Sequence, residues 1–369
     1  MGLQAEFSDS QAPAGRWRGF VRALLLSAAL LLATLGGFIV MLDAHDHLAI
    51  SPAFERAPIN ANQRFSYPAL ARSQRFDSVV IGTSTIRLLR PAQLNAELGG
   101  KFANLAMNSA TAYEQARMLE LFVRHHPQAR TVLVGIDAVW CTTSAELERY
   151  TLRPFPEWMY DANRWNDFLY ILNGSTLEQA VRQAQFKLGR REPRFGFDGY
   201  KSFLPPLDEY DLSKARRTLY GGDGTPKVRG ADAALANART ISAWPYHALD
   251  LLRETLATVP KHTRVVLMFV PYHHYYIAHG RSIAGQQLRA CKERAVDIAT
   301  QLPNGHVVDF MFASDLTRVD ENYWDPLHYS EAMATRVITD LAGALGGANV
   351  DTRYTTLFSA RPTAVKLPD

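Results

Sequence analysis

Three residues in two short motifs have the types and spacing that a serine nucleophile requires. Ser84 ends the sequence Gly82-Thr83-Ser84, and Asp325 precedes His328 by three positions. A serine hydroxyl is a weak nucleophile until a base accepts its proton, and a histidine oriented by a carboxylate is the base that catalytic triads use. Each motif is common on its own, so the pair indicates chemistry only where a fold brings the two together.

The same three residues also have ordinary structural interpretations. Serine is a frequent N-cap, so Ser84 could simply begin a helix. Asp325 could cap the last helix of the chain, with His328 in the first turn of that helix. We favour the catalytic interpretation because a base and its orienting carboxylate are both present to activate the serine.

Short apolar segments alternate with segments of helical periodicity from residue 78 onward. Five of them are predicted as buried strands because they are short and rich in β-branched residues: 78–81, 102–105, 131–136, 264–270 and 306–310. Helices are predicted over 86–98, 112–126, 245–259, 283–301 and 330–345. Strands that alternate with helices predict an α/β fold with a doubly wound parallel sheet, covered by helices on both faces.

Polar side chains follow each predicted strand. In chain order they are Ser84; Asn108 and Ser109; Asp137; His273 and His274; and Asp325 with His328. Ligands of such sheets bind beyond the carboxyl ends of the strands, so we expect these residues at one edge. Beyond the triad, the aspartate after the third strand and the two histidines after the fourth are predicted to line the substrate.

Two of these assignments have a competing interpretation. Asp137 could equally be a loop aspartate that bonds its own backbone. His273 and His274, together with His279, could suggest a metal site. Zinc sites need a defined geometry and usually three or more ligands, so no metal and no other cofactor is predicted.

The N-terminal region contains the longest apolar segment of the chain. Residues 23–42 are twenty positions without a charge, and as a helix they would be about 30 Å long, enough to cross the hydrocarbon core. Three arginines precede this run, and Asp43, His45 and Asp46 follow it. Positive charge stays in the cytoplasm, which predicts a single-pass protein of the bacterial inner membrane with a cytoplasmic N-terminus (1–22) and a periplasmic C-terminal domain. A cleaved signal peptide is the alternative.

The remaining segments lack a regular alternation. Residues 43–75 contain three prolines and are predicted as a linker or stalk that docks onto the α/β domain at 76–346. Residues 142–240, first aromatic and then basic, are predicted as an insertion that forms a lid or a partner surface, with a merely solvated surface as the alternative. Residues 347–369 are predicted as a C-terminal tail.

Composition narrows the function classes further. The formal net charge of +4 is too small and too dispersed to indicate a nucleic-acid partner. The two cysteines, Cys141 and Cys291, could pair in an oxidising compartment or remain as buried thiols. Their positions in the sequence do not decide between these alternatives.

The two catalytic motifs resemble those of the SGNH hydrolases, the GDSL-type esterases and acyltransferases. Gly82-Thr83-Ser84 is similar to their first block, and Asp325 to His328 is similar to their last block, Asp-x-x-His. The resemblance covers roughly residues 77–345. It implies a flavodoxin-like three-layer sandwich and a serine esterase or acyltransferase, with Ser84 as nucleophile, His328 as base and Asp325 as the orienting carboxylate.

Within that family, the chain looks like a membrane-anchored branch that includes the alginate O-acetylation proteins and the D-alanine transfer protein of Gram-positive walls. The anchor, the Asn-Leu-Ala-Met sequence at 104–107 and the Leu-Val-Gly-Ile-Asp sequence at 133–137 suit this branch. The resemblance implies an acyl donor, an envelope or extracellular polysaccharide, and a membrane-bound O-acyltransferase as a partner. Transfer to a sugar hydroxyl and hydrolysis by water both stay open.

Two departures from the family pattern concern the donors that stabilise the oxyanion. The second block normally places a glycine N–H there, and the matching position is Ser109, whose backbone N–H could still serve beside that of Ser84. The third block normally offers an asparagine side chain, whereas this chain has Ile136-Asp137. Losing one donor typically costs on the order of 100- to 1000-fold in turnover. Either Asn108 replaces the donor, or the chain is a catalytically degenerate polymer-binding or scaffold protein.

Overall fold

A six-stranded sheet forms the centre of the computed structural model, which describes residues 14–165, 167–232, 234–348 and 352–360. Its strands are β1 (Ser78–Ile81), β2 (Phe102–Asn104), β3 (Thr131–Ile136), β4 (Arg264–Phe269), β5 (Gly305–Asp309) and β6 (Thr355–Ser359). Their order across the sheet is β2-β1-β3-β4-β5-β6. Neighbours from β2 to β5 pair in parallel, and β6 is antiparallel to β5. The protein therefore has a mixed α/β fold with a mostly parallel sheet.

The five strands predicted from the sequence are confirmed, with ends that differ by one residue at most. Every residue of β1, β2, β3 and β5 is buried, as expected of apolar strands covered on both faces. The sequence analysis missed β6, which lies in the segment 347–369 that was predicted as a tail. This edge strand is only partly buried, so its apolar signal is weak. Residues 349–351 and 361–369 of that segment lie outside the described residues.

Eleven α-helices accompany the sheet in the described part of the chain. They are α1 (Ala14–Leu42), α2 (Gln63–Arg72), α3 (Pro91–Leu98), α4 (Ala112–His125), α5 (Phe168–Ile171), α6 (Gly174–Lys187), α7 (Leu212–Tyr220), α8 (Ala238–Ala243), α9 (His247–Leu256), α10 (Ile283–Thr300) and α11 (Glu331–Leu345). Around the sheet, α3 packs on α11, whereas α4 packs on α2 and α9. Side-chain caps at Thr111, Ser282 and Ser330 fix where α4, α10 and α11 begin.

The helix predicted over 86–98 is shorter in the structure, because α3 begins only at Pro91. Proline suits the first position of a helix, and it forces the preceding Arg90 into an extended conformation, so no helix continues through it. Residues 84–88 form consecutive turns instead, in which the N–H of Ile86 donates to Thr83 O and the N–H of Arg87 donates to Ser84 O. Ser84 thus lies in a turn and does not begin a helix.

The described residues fall into two units. The larger unit comprises the described residues of 57–162 and 193–369, and it contains the whole sheet. The predicted linker 43–75 is divided between the two units, because residues 57–75 belong to this one, where α2 packs against α4. The predicted insertion 142–240 is likewise divided, since residues 163–192 belong to the smaller unit.

The smaller unit comprises the described residues of 1–56 together with 163–192. Within it, α6 packs against α1. The stretch Trp17–Leu42 of α1 is long and apolar enough to cross a membrane, and no other helix in the described part of the chain meets this criterion. Residues 1–13 of the predicted cytoplasmic segment lie outside the described residues.

Cys141 and Cys291 form a disulfide, with their Cα atoms 5.4 Å apart. The bond links the chain just after β3 to α10 and closes a loop of 150 residues. The alternative of two buried thiols is therefore wrong.

We expect loss of this disulfide to lower the free energy of unfolding by roughly 2–5 kcal/mol, because the bond restricts the unfolded chain over a long loop. Urea denaturation of the wild type and of the Cys141→Ala/Cys291→Ala double variant measures the difference. Reductant should lower the stability of the wild type to that of the double variant and leave the variant unchanged. Equal stabilities of the two proteins without reductant would contradict the expectation.

Candidate active site

The three predicted triad residues meet at one edge of the sheet. Nε2 of His328 lies 2.9 Å from Oγ of Ser84, and Nδ1 of His328 lies 2.7 Å from Oδ2 of Asp325. With the proton on Nδ1, the imidazole donates to the carboxylate, and its Nε2 accepts the hydrogen bond of the serine hydroxyl. The arrangement joins residues 244 positions apart and has the geometry of a nucleophile, a base and an orienting group.

A compact turn presents Asp325 and His328 together. Oδ1 of Asp325 accepts hydrogen bonds from the backbone N–H groups of Leu327 (2.8 Å) and His328 (3.0 Å), and the N–H of Trp324 donates to His328 O. The two oxygens of the carboxylate therefore have separate partners: one fixes the turn and the other holds the imidazole. The spacing Asp-x-x-His allows both contacts within a single turn.

The carboxylate of Asp325 stays ionised at neutral pH. Burial raises its pKa, but the hydrogen bond from His328 and those from the backbone N–H groups outweigh burial, and the pKa lies below its usual value. The side chains of Asp325 and His328 are 35% and 21% exposed, so the site is open to solvent on one side. An ionised carboxylate at this distance stabilises a protonated imidazole.

Close packing against two glycines holds the turn that carries Ser84. A Cβ atom at Gly82 would lie 2.4 Å from Ile86, and a Cβ atom at Gly135 on β3 would lie 2.9 Å from it. The side chain of Ile86 thus fills the space that both glycines leave open. A larger residue at either position would displace the turn and, with it, Ser84.

Asp137, which was predicted to line the substrate, lies buried beside this turn. It is 3% exposed, and its Oδ2 accepts hydrogen bonds from the hydroxyls of Thr83 and Thr85, the two neighbours of Ser84. Its Oδ1 accepts from the N–H of Val139 at 3.2 Å. Burial raises the pKa of Asp137 to about 6, although these hydrogen bonds counteract part of the effect. The side chain of Asp137 thus supports the turn that carries Ser84 through the two threonines.

The loop after β2 contacts the turn that carries Ser84 through a backbone hydrogen bond. The N–H of Met107 donates to Gly82 O at 2.9 Å. Two residues later, Ser109 is exposed and has φ 51°, in the left-handed region that favours glycine. The resemblance expects a glycine at this position, and the serine retains a glycine-like backbone. A hydrogen-bond donor at this position needs only the backbone N–H, so the side chain of Ser109 does not have to take part.

A buried ion pair orients the peptide between Asn108 and Ser109. Arg64 pairs with Glu114, and both side chains are fully buried. The guanidinium of Arg64 also donates to Asn108 O (3.2 Å) and to Ser109 O (3.4 Å). In a planar trans peptide the N–H points opposite to the C=O, so the N–H of Ser109 is directed away from Arg64. This contact fixes the orientation of the predicted oxyanion donor.

Arg87 fixes the side chain of Asn108. It lies three residues after Ser84, is 3% exposed, and donates hydrogen bonds to Oδ1 of Asn108 and to Lys201 O. Because the amide oxygen of Asn108 accepts from Arg87, its NH2 group remains available as a donor. The amide is thus held by the same turn that carries the nucleophile.

Part of the predicted insertion forms a wall of the site. The ring of Phe203 meets the ring of His328 edge to face with centroids 5.1 Å apart, and its other neighbour is the guanidinium of Arg87 at 4.8 Å. The same segment contains Gly199, where a Cβ atom would lie 2.2 Å from Asn104 O at the end of β2. Only glycine allows the insertion to approach the strand end this closely.

His273, which was also predicted to line the substrate, is fully buried. Its Nε2 lies 3.1 Å from Asp320, which also accepts hydrogen bonds from Arg216 and Tyr220 of α7. Burial and the neighbouring His274 lower its pKa to about 4, against the opposing effect of Asp320, so the ring is neutral at pH 7.

The backbone of His273 nevertheless supports the triad. Its N–H donates to Pro326 O at 2.9 Å, inside the turn between Asp325 and His328. His274 is half-buried and donates its N–H to Thr317 O. Among the described residues, no group of three or more His, Cys, Asp or Glu side chains could hold a metal ion.

Sequence reasoning missed Arg64, Arg87 and Phe203. The spacing of three residues between Ser84 and Arg87 is a weak local signal that both share one turn. Arg64 and Phe203 reach the site from segments that were predicted as a linker and an insertion, and nothing near them in the sequence indicates those contacts.

Asp137 generates a prediction on stability. A carboxyl group whose native pKa is about 6 keeps its proton over a pH range in which the unfolded chain, with the ordinary value of 3.8, has lost it. Its contribution to stability therefore falls as the pH rises from about 4 to about 6, by up to about 1.4 kcal/mol per pH unit. The free energy of unfolding of the wild type, measured relative to that of Asp137→Asn, should fall as the pH rises through this window and stay constant above it.

Urea denaturation of both proteins at a series of pH values measures this difference. Asp325→Asn is a control of opposite sign, because the pKa of Asp325 is lowered and its contribution is lost as the pH falls below the usual range of a carboxyl. A stability difference between the wild type and Asp137→Asn that does not change between pH 4 and pH 7 would be incompatible with a raised pKa.

Comparison of the sequence with protein-family models finds no match, and a search of the curated proteins finds none either. A functional assignment therefore depends on the geometry of the site itself.

Proposed function

We propose that this chain is a membrane-anchored serine esterase or O-acyltransferase of the SGNH type. Its substrate would be the O-acyl groups of an envelope or extracellular polysaccharide, and acetyl is the group that we expect. The observation that carries the proposal is the hydrogen-bonded series Ser84, His328 and Asp325, at 2.9 Å and 2.7 Å. A solvent-accessible serine beside a histidine that a carboxylate orients is the arrangement that activates a hydroxyl for acyl transfer.

In the proposed reaction, Ser84 attacks the carbonyl carbon of the acyl donor while His328 accepts the hydroxyl proton. Asp325 stabilises the imidazolium, and the oxyanion accepts hydrogen bonds from the N–H groups of Ser84 and Ser109 and from the amide of Asn108. His328 returns its proton to the leaving oxygen, which leaves an acyl-serine. A sugar hydroxyl or a water, deprotonated by His328, then takes the acyl group and restores the free serine.

The topology supports assignment to the SGNH type. The parallel strands follow the order 2-1-3-4-5, which is that of flavodoxin-like doubly wound sheets. The helices pack in two groups, α3 with α11 and α4 with α9. Because crossover connections are right-handed, strands added in opposite directions from β1 place their helices on opposite faces. These features support the proposal of a three-layer sandwich.

Two further observations support a location outside the cytoplasm. The disulfide between Cys141 and Cys291 is typical of an oxidising compartment such as the periplasm. Arg18 and Arg22 precede the apolar run, and the positive-inside rule would keep them in the cytoplasm. We therefore propose a single pass through the inner membrane with the larger unit in the periplasm, where a membrane-bound O-acyltransferase could deliver the acyl group.

A catalytically inactive scaffold is the second candidate function. It is favoured by Asp137, which is buried where the family offers an amide donor. The complete triad favours the enzyme, because a scaffold has no use for a serine, an imidazole and a carboxylate in mutual contact. Asn108, held by Arg87, supplies a substitute for the missing amide.

The first test replaces the nucleophile. Ser84→Ala should lower turnover of p-nitrophenyl acetate at least about 1000-fold and abolish labelling by a fluorophosphonate, because the hydroxyl of Ser84 is the one hydrogen-bonded to His328 among the described residues. Ser109→Ala is the matched control, since only the backbone of that exposed serine takes part. Equal, negligible rates in the wild type and in Ser84→Ala would favour the scaffold.

The second test concerns the amide donor. Asn108→Ala should lower kcat by on the order of 100-fold with little change in KM, because an oxyanion donor acts mainly in the transition state. Arg87→Met should lower kcat through the same amide, so the double variant should lose no more than Asn108→Ala alone. Losses that multiply in the double variant would show that Arg87 acts independently of Asn108.

A further inference from the structure

The smaller unit carries apolar side chains that its own fold leaves exposed. Trp165, Leu169 and Leu172 are 68%, 82% and 68% exposed, and Tyr170 is 49% exposed. We refer to these four residues as the apolar patch. Exposed aromatic and aliphatic residues at this density usually mark a surface that contacts a partner or a membrane.

The apolar patch is attached to α1 at a defined height. A Cβ atom at Gly36 would lie 3.7 Å from Leu172, so the leucine packs directly on the helix at that residue. Gly36 lies six residues before the end of α1 at Leu42, which is about 9 Å along the helix axis. If the apolar run of α1 spans the hydrocarbon core, Leu172 lies below the boundary between headgroups and acyl chains.

Contacts with the loop that follows α1 hold the apolar patch in this position. Nε of Arg164 donates to His47 O at 2.7 Å. The side chain of His47 pairs with Asp167, and both side chains are buried. Trp165 lies between these two contacts in the sequence, so the patch cannot leave α1 without breaking them.

Several polar groups of this segment have partners within it, which suits a lipid environment. Residues 168–177 carry no charged side chain. Asn173 caps α6 by accepting from the N–H of Thr176 (2.9 Å), and its amide donates to Tyr170 O (2.6 Å). The first charged residue after them is Glu178, which pairs with Arg182 at 2.5 Å.

We propose that residues 168–177 insert into the same leaflet as the C-terminal end of α1, as a second membrane contact. Leu169 and Leu172 would contact acyl chains, and Trp165 and Tyr170 would lie at the headgroup level that amphipathic aromatic rings prefer. The inference rests on the membrane-spanning role proposed above for α1. It does not depend on the proposed chemistry of Ser84.

Site-specific fluorescence on the full-length protein tests this contact. Leu172→Cys is labelled with an NBD maleimide and reconstituted into phosphatidylethanolamine–phosphatidylglycerol vesicles with a doxyl-labelled phosphatidylcholine as quencher. Leu188→Cys is the matched control, because Leu188 is also 68% exposed but follows the other end of α6. Leu31→Cys in α1 reports the span itself. The native cysteines do not take the label because they form the disulfide.

The probe at position 172 should show blue-shifted emission and lipid quenching close to that at position 31, while the probe at position 188 should be quenched by aqueous iodide instead. Quenching by lipid at 31 but not at 172 would overturn the inference and leave the span intact. Lipid quenching at neither position would overturn both. Equal lipid quenching at 172 and 188 would show a nonspecific surface association and would also contradict the proposal.

Discussion

The hydrogen bond between Ser84 and His328 can form only if β1 and the chain after β5 end at the same edge of the sheet. Parallel pairing from β2 to β5 meets this condition, because every strand in that series runs in one direction. The serine follows the first strand, and the histidine precedes the last helix, so four of the six strands, β2 to β5, lie between them in the chain. The geometry of the site is therefore a consequence of the topology rather than of any local motif.

Topology alone leaves the loops free to move, and buried polar groups remove that freedom. Asp137 holds the turn of Ser84 through two threonines, the pair of Arg64 and Glu114 holds the loop after β2, and Asp320 with His273 lies behind the triad turn. Burying charge is costly unless it is fully paired. Hydrogen bonds in such surroundings are strong and directional. Burial of these groups therefore lowers the free energy of unfolding to some extent but fixes the positions of the loops.

The sequence contained enough information for the five parallel strands and for the contact between Ser84, Asp325 and His328, and too little for the edge strand β6 and for the residues that support the site. Apolar runs predict strands because burial on both faces selects the same residues, as in β3. The spacing of Asp325 and His328 predicts their contact because a single turn joins them. Arg64 gives no such signal, since its partners lie 44 to 50 residues away. For Asp137, proximity to a strand end predicted the correct edge but could not distinguish a side chain above the sheet edge from one buried beneath it.

Attachment to a membrane adds a constraint that the triad does not provide. One spanning helix sets the depth of the smaller unit in the bilayer but leaves rotation about the helix axis free. That rotation leaves the orientation to the bilayer normal unchanged, whereas tilt changes it. A second contact through Leu169 and Leu172, as proposed, would restrict tilt, because a unit that touches the bilayer at two places cannot rock freely about either one. An enzyme whose acyl donor arrives from a membrane-bound partner benefits from such confinement, since collisions are then restricted to one surface and to fewer orientations. The exposed patch would then contribute to encounter with the donor, and the buried polar groups around Ser84 to the chemistry that follows.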